Sequence, residues 1–297
     1  MAPGAGGSLL ALAAGLFLLT SSGAVPARAE APAARPMAAA RPVADFILDG
    51  KLTQGGWIRG TAPAGTVSAS FDGKPLLLAA DGAFIAAFDR DAAATASLVA
   101  RLADGREVIR RIAVAARAWK IEHVPVAPRP GALPSAEYQR RRTAELQQIA
   151  AARQVVTGAQ GWRQAFAWPA KGRLSGQFGS QRIYRGTPGA YHSGTDIATG
   201  TSGTPFVAPA DGVVILAAQS PFTLEGHLLM IDHGMGLNSA FLHCSEILVR
   251  EGESVRQGQV IGRIGATGRA SGPHLHWSMK WNDARLDPTL FTGPMQR

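Results

Sequence analysis

Residues 272–277 read Gly-Pro-His-Leu-His-Trp, and this stretch decides how the C-terminal half is expected to fold. Alternate residues of a β-strand project from the same face of a sheet, so the sequence predicts that His274 and His276 share one small patch. Six of the seven histidines lie from position 192 onward. The candidate chemistry is therefore concentrated in the same half of the chain.

A second stretch, His192-Ser-Gly-Thr-Asp196, places an imidazole and a carboxylate four residues apart, with Gly194 allowing the backbone to turn between them. Both groups are ligands that zinc accepts, and a catalytic zinc site uses three protein ligands and keeps a fourth position open. His192, Asp196 and one of the two later histidines would complete such a set.

The sequence lacks His-Glu-x-x-His, so no helix-borne glutamate can be assigned as the general base of a metallopeptidase. Two other groups are candidates. The remaining histidine of the 274/276 pair and His243 titrate near neutrality, and they could relay protons and stabilise a tetrahedral intermediate.

Five motifs in a fixed order extend this pattern through the C-terminal half. They are Tyr191-His-Ser-Gly-Thr-Asp-Ile-Ala198, Pro209-Ala-Asp-Gly-Val213, Phe241-Leu-His243, Glu251-Gly with Gly258-Gln-Val-Ile-Gly262, and Gly272-Pro-His-Leu-His-Trp277. On these residues the chain resembles the lysostaphin-type zinc metallopeptidases, the LytM-domain family of peptidoglycan endopeptidases. The resemblance covers about residues 163–297.

The resemblance implies a role for each histidine of the motifs. His192, Asp196 and His276 would bind Zn²⁺, and His243 and His274 would be the catalytic pair for proton relay and transition-state stabilisation. Residues 178–184 are similar to a segment that precedes the metal motif in many periplasmic members. Arg182 and Tyr184 in this segment are therefore predicted to bind substrate at the border of the groove.

The chain departs from the family at two positions beside these motifs. Phe241 stands where relatives often have tyrosine, and Ser278 stands where many have glutamate. Neither position is a ligand, so the predicted metal site is unaffected, although the missing hydroxyl at Phe241 could alter substrate contacts. Some family members lose ligands and persist as activators of other hydrolases, which leaves a non-hydrolytic wall-binding or amidase-activating protein as the alternative.

Other conspicuous side chains are interpreted as structural. His233, in Asp-His-Gly, is expected at a turn, and Cys244 is expected to be a buried thiol because neighbouring strand residues face opposite ways. Most of the four C-terminal tryptophans are expected to fill the core rather than to form a sugar-binding platform. A single cysteine also excludes an internal disulfide.

The fold class predicted for the whole chain is mainly all-β. After residue 163, Gly- and Val-rich strands predict antiparallel sheets around an open groove. Residues 44–116 contain six short β-rich runs separated by Asp72-Gly73, Asp81-Gly82 and Asp104-Gly105, each suited to a hairpin turn, and they predict a small immunoglobulin-like β-sandwich.

Residues 117–162 are predicted to form a Pro-rich connector and one helix, capped by Ser135 and ending near Arg153. The predicted organisation is thus a sandwich, a connector and a metallopeptidase domain at 163–297. This arrangement suggests a regulatory hypothesis in which the sandwich inhibits the enzyme intramolecularly by shielding the groove.

Composition narrows the function classes. The 35 Gly and 19 Pro among 297 residues are too few for a disordered or collagen-like chain. A net charge of +9 favours polyanionic partners, and peptidoglycan stem peptides fit this charge as well as the resemblance. Nucleic acid is not predicted, because the only dense basic run, Arg140 to Arg142, has no reading motif beside it.

The N-terminus predicts export. Residues 9–19 are apolar but too short to span a bilayer, and Ala27-Arg28-Ala29 fits a signal-peptidase site, so 1–29 is interpreted as a signal peptide and 30–43 as a disordered tether. An uncleaved anchor is the alternative. After cleavage no membrane insertion is expected, and the periplasm is the predicted site, where the bond cut would join D-alanine to meso-diaminopimelate.

Overall fold

A computed structural model of the chain describes residues 44–125 and 135–295. The predicted signal peptide and tether lie outside the described residues. Within the described ranges, no helix combines the length and the apolar character that a membrane crossing needs. The structure is mostly β-strand with one α-helix, which confirms the predicted fold class.

The first part of the chain forms two antiparallel sheets. One has the order β1-β2-β5 and the other β4-β3-β6-β7. Both contribute to one hydrophobic cluster, in which Ile58, Phe84 and Leu98 are fully buried. The two sheets agree with the predicted β-sandwich. Their strands are β1 (Ile47–Lys51), β2 (Trp57–Thr61), β3 (Thr66–Phe71), β4 (Lys74–Leu76), β5 (Ala83–Ala87), β6 (Thr95–Leu102) and β7 (Glu107–Ala113).

The three predicted turns differ in what they connect. Asp72 and Gly73 both have positive φ, 48° and 75°, which is the conformation of a tight hairpin turn, and they join β3 to β4. Asp104-Gly105 joins the paired strands β6 and β7. The expected hairpin at Asp81-Gly82 was wrong, because this turn connects β4 to β5, which lie in different sheets.

The connector contains both the predicted helix and an unpredicted strand. Helix α1 (Ala136–Ala152) begins after Ser135, whose hydroxyl accepts a hydrogen bond from the Tyr138 amide. Strand β8 (Ile121–Val124) pairs in parallel with β10 (Gln181–Tyr184), which also pairs with β11 (Thr187–Pro188). The connector is therefore attached to the sheet segment just before the metal motif.

The C-terminal half forms one large antiparallel sheet with the order β17-β14-β15-β16-β19-β12-β9. Three further strands join it, since β13 pairs with β18, β18 with β16, and β20 with β19. The strands are β9 (Arg173–Gly176), β12 (Thr195–Ala198), β13 (Pro205–Val207), β14 (Gly212–Ala217), β15 (His227–Gly234), β16 (Leu237–Ile247), β17 (Ser254–Val255), β18 (Val260–Ile264), β19 (Leu275–Trp281) and β20 (Ala284–Leu286).

The hydrophobic core continues from the sandwich into the large sheet. The rings of Trp57 and Phe291 have centroids 5.2 Å apart, and those of Phe71 and Trp281 are 5.9 Å apart. Among the C-terminal tryptophans, Trp281 is buried together with Trp162 and Trp277, and Trp168 is partly buried, as expected for core residues. The predicted domain boundaries stay predictions, because the two β regions share this cluster.

Candidate active site

Two adjacent strands bring the carboxylate and one imidazole of the candidate metal site together. β12 pairs antiparallel with β19, and Asp196 lies directly opposite His276. His192 reaches the same point through the turn at Gly194. A β-carbon at Gly194 would lie 2.5 Å from the Trp277 carbonyl oxygen and 2.7 Å from His276 Nε2, so only glycine fits there.

The three candidate ligand atoms form a nearly equilateral triangle. His192 Nε2 is 3.1 Å from both Asp196 Oδ1 and His276 Nδ1, and the last two atoms are 2.9 Å apart. Ligands of a tetrahedral zinc ion at its usual bond lengths are about 3.3 Å apart. The donor set and its spacing therefore fit a zinc ion with few adjustments.

Hydrogen bonding prepares these groups as ligands. His192 Nδ1 lies 3.1 Å from the Gln177 carbonyl oxygen, which can only accept, so Nδ1 carries the proton and the Nε2 lone pair faces the site. Burial opposes ionisation of Asp196, but hydrogen bonds from His192 and His276 hold the pKa of its carboxyl below the usual range. Burial lowers the pKa of His276. The ionised carboxyl of Asp196 and the neutral ring of His276 are the forms that metal binding requires. Burial opposes protonation of His192, but without a metal its hydrogen bond to Asp196 raises the pKa of His192, so a metal ion would have to displace a proton from this ring.

A β-bulge turns His243 into the site. His227 pairs with Cys244 and Leu229 pairs with Phe241, so Leu242 and His243 both lie opposite the single residue between those partners. His243 has φ = 66°, a left-handed conformation that is uncommon for a residue with a side chain. Phe241 and Cys244 both point into the core, while His243 and Leu242 face the cavity.

Backbone carbonyls also orient the two remaining histidines. His243 Nδ1 donates to the Thr267 carbonyl at 2.8 Å, and the backbone N–H of His243 donates to the backbone carbonyl of Glu225 at 2.8 Å. His274 Nδ1 donates to the Gly272 carbonyl at 2.8 Å, and its Nε2 lies 3.8 Å from Asp196 Oδ1. Burial lowers the pKa of His243. Both rings therefore present Nε2 beside the candidate metal site.

The five residues line one cavity of about 390 Å³. All of its lining residues fall within 191–276, so no residue of the sandwich contributes to it. Beyond the five, the lining consists of Tyr191, Ser193, Leu224, Glu225, Leu242, Arg269, Ala270 and Ser271.

Arg182 and Tyr184 lie elsewhere, on β10. The Arg182 guanidinium donates to Glu122 at 2.8 Å, and neither residue lines this cavity, so their predicted substrate role stays a prediction. Tyr191 and Arg269 also line the cavity, and neither was predicted to do so. The position of Tyr191 directly before His192 in the metal motif could have indicated it, whereas Arg269 belongs to none of the five motifs.

The residues interpreted as structural lie outside the cavity. His233 is fully buried, with Nδ1 donating to the Asp211 carbonyl and Nε2 accepting from the Ser239 hydroxyl, each at 2.8 Å. Its burial lowers the pKa to about 4. Cys244 is buried, and burial raises the pKa of its thiol to about 12. This thiol is neither exposed nor ionised at neutral pH.

The chain is similar to known proteins in this region. The profile of peptidase family M23 matches residues 190–288. Peptidoglycan DD-endopeptidase ShyA of Vibrio cholerae is 39% identical over 117 residues, which make up 39% of this chain and 26% of ShyA. Peptidoglycan DD-endopeptidase ShyB of the same organism is 42% identical over 96 residues, 32% of this chain and 22% of ShyB. The chain thus spans about a quarter of these curated relatives.

A solved structure extends the similarity beyond the peptidase region. The crystal structure of a peptidase M23 from Pseudomonas aeruginosa is 30% identical, with a TM-score of 0.61. The match covers 82% of this chain and 96% of that one, which is more than residues 163–297 alone could supply. The profile match, the metal motif and this near full-length similarity agree with the lysostaphin-type resemblance, and the chain belongs to peptidase family M23.

Proposed function

We propose that this chain is an exported zinc-dependent endopeptidase that hydrolyses the peptide cross-links of peptidoglycan, with the D-alanyl to meso-diaminopimelate bond as its target. One observation carries the proposal. The donor atoms of His192, Asp196 and His276 lie about 3 Å from one another on the wall of an open cavity, and two further histidines turn Nε2 toward the same point.

Zinc bound by the three residues would act as a Lewis acid that polarises the scissile carbonyl and lowers the pKa of water. The chain's own contribution is proton handling at His243 and His274. Each ring is held through Nδ1–H on a backbone carbonyl, so Nε2 is free to accept a proton from the attacking water. The protonated ring can then donate a hydrogen bond to the developing oxyanion or a proton to the leaving amine.

The substrate class follows from the relatives together with the charge of the chain. ShyA and ShyB are named peptidoglycan DD-endopeptidases, and peptidoglycan is a polymer that attracts a chain of net charge +9. Such a substrate lies outside the cytoplasmic membrane, which agrees with the predicted signal peptide and supports a periplasmic location.

The regulatory hypothesis concerns the sandwich. It contacts the cavity lining through Arg90, whose guanidinium lies 4.6 Å from the ring centroid of Tyr191 and donates to the Gly179 carbonyl at 3.0 Å. If the sandwich restrains the site through this contact, Arg90→Ala should raise turnover. Unchanged or lower turnover would favour a supporting role. A point variant suits this test, because truncation would expose the shared core at Trp57 and Phe291.

The proposal is tested by incubating the protein with purified sacculi and identifying the released muropeptides by mass spectrometry. We expect cleaved cross-links that disappear on chelation and return with zinc. If zinc-loaded protein releases no muropeptide although it binds sacculi, the non-hydrolytic alternative is favoured. If cleavage persists at full rate after chelation, the metal assignment is contradicted.

A further inference from the structure

A second cavity, of about 230 Å³, adjoins the candidate active site and shares four lining residues with it, Ser193, Glu225, Leu242 and His276. Four cationic side chains line this cavity, against the one carboxylate of Glu225. That carboxylate is already paired, since the Arg142 guanidinium donates to its two oxygens at 2.6 and 2.8 Å. Glu225 therefore does not pair with the other three cations, Arg153, Lys280 and Arg285.

These three side chains lie close together, and the carboxylates that act on Lys280 and Arg285, those of Asp89 and Asp283, do so without forming an ion pair with them. The Asp89 carboxylate accepts a hydrogen bond from the backbone N–H of Arg285, at 2.8 Å, and not from its guanidinium. Lys280 on β19 is directly opposite Arg285 on β20, and like charges in such a cross-strand pair are destabilising. Among the described residues, none of the three forms an ion pair, and Arg285 has only the Tyr191 hydroxyl at 3.4 Å as a side-chain partner. The nearby Asp283 lies 4.0 Å from Lys74 instead.

Arg153 completes the cluster from the C-cap of α1. A helix C-terminus favours a cation, but the buried Nε of Arg153 has no hydrogen-bond partner. Burial lowers the pKa of Arg153, and repulsion by Arg285 adds to this effect. Lys280 behaves in the same way, because burial and repulsion by Arg153 and Arg285 lower its pKa. Arg285 differs, because its hydrogen bond to the Tyr191 hydroxyl raises its pKa. The unfavourable repulsion therefore falls mainly on Arg153 and Lys280, and a bound anion would reduce it.

We propose that Arg153, Lys280 and Arg285 form an anion subsite that binds a carboxylate of the cross-linked stem peptide. The geometry of β19 gives the distance between this subsite and the candidate metal ligand His276. His276, Ser278 and Lys280 alternate along one face of β19, which places Lys280 about 13 Å from His276 at roughly 3.3 Å per residue. An extended peptide covers that span in about four residues. This inference rests on the proposed function.

The test compares two substrates in two variants. Lys280→Gln/Arg285→Gln removes two charges of the subsite, and Arg250→Gln removes an exposed cation outside the cavity as a control. The substrates are a soluble cross-linked stem peptide with free carboxylates and the same peptide with its carboxylates amidated. For the free acid we expect the double variant to raise KM about tenfold, which corresponds to about 1.4 kcal/mol of binding free energy, with kcat within about threefold.

With the native chain, KM for the amidated peptide should be higher than KM for the free acid. In the double variant, KM for the amidated peptide should be the same as in the native chain. Equal KM values for the double variant and Arg250→Gln, or equal effects on both substrates, would overturn the subsite. If the native zinc-loaded chain cleaves neither substrate, the proposed function fails and the stem-peptide assignment fails with it. Calorimetric titration of the chelated protein with the free-acid peptide gives a readout without catalysis, and we expect about tenfold weaker binding to the double variant.

Discussion

Two kinds of histidine lie in or beside the large sheet, and they differ in how many of their ring nitrogens have partners within the protein. His233 is buried in the core, where Nδ1 donates to Asp211 and Nε2 accepts from Ser239, so both nitrogens have partners within the protein. His192, His243 and His274 each bond one nitrogen to a backbone carbonyl and turn the other toward the cavity. Burial alone therefore does not distinguish a structural histidine from a candidate functional one.

The distinguishing feature is the second ring nitrogen. A carbonyl on Nδ1 fixes the tautomer, so the lone pair on Nε2 is aimed at whatever enters the cavity. His233 has no such free lone pair, because its Nε2 already accepts from a hydroxyl that in turn accepts from the Trp277 indole at 3.2 Å. Variants of the two kinds should consequently separate function from stability.

The largest effect is expected from His276→Ala. Cross-link cleavage should fall by at least about a thousandfold, since the metal contributes several kcal/mol of transition-state stabilisation. Zinc content per chain, measured by elemental analysis, should fall with it. His233→Gln is the matched control and should keep its zinc. Loss of zinc in His233→Gln, or full zinc binding by His276→Ala, would contradict the assignment of His276 as a zinc ligand and of His233 as a structural residue.

The stability of the chelated protein should depend on pH through His233. Its pKa is about 4 in the folded protein against an ordinary 6.5, so between these values the unfolded chain binds more protons. The free energy of unfolding should therefore be highest above pH 6.5 and fall by roughly 3 kcal/mol as the pH decreases from 7 to 4. Denaturant titrations of the native chain and His233→Gln would measure this. Equal pH slopes would count against the assignment.

A smaller loss of activity is expected from replacing His243, which lies in the β-bulge. Asparagine tolerates the left-handed conformation, so His243→Asn should keep the backbone and remove only the imidazole. We expect kcat to fall about a hundredfold, the usual loss for a general acid or base, with zinc content unchanged. A Tm within a few degrees of the native value would verify the fold. Native kcat in this variant would assign proton transfer to another group.

The smallest effect is expected at Cys244, the residue after His243. Because this residue points into the core, Cys244→Ala should leave kcat/KM within about twofold while lowering the free energy of unfolding by about 1 kcal/mol through the lost sulfur. A turnover assay and a denaturant titration check the two parts. A large loss of activity at unchanged stability would mean that the bulge does not separate the two neighbours.

The residues that the structure brings together at the candidate metal site were easier to recognise in the sequence than the residues around them. The position of Asp196 opposite His276 follows from two strands whose motifs could be recognised. The bulge at His243 could not be predicted, because it arises from the pairing of β16 with β15 and leaves no local signal. Arg269 reaches the cavity from a loop with no motif of its own.

Elements of the fold could be predicted where neighbouring residues alone determine the conformation. Asp72-Gly73 forms the expected hairpin turn because its residues favour positive φ. Strand β1 was missed, since Ile47–Lys51 contains Asp49-Gly50 and lacks a clear alternation. Strand β8 was missed for another reason. It lies in a Pro-rich connector, and its pairing with β10 depends on a partner some 60 residues away.

We expect zinc to be held by His192, Asp196 and His276, and not by His233, whose two ring nitrogens already have partners within the protein. A crystal of the zinc-loaded protein measured on both sides of the zinc absorption edge tests this most directly. We predict one anomalous peak bounded by His192 Nε2, Asp196 Oδ1 and His276 Nδ1, with none at His233. A zinc-loaded crystal with no peak among these three atoms, or with its peak at another group of residues, would contradict the account.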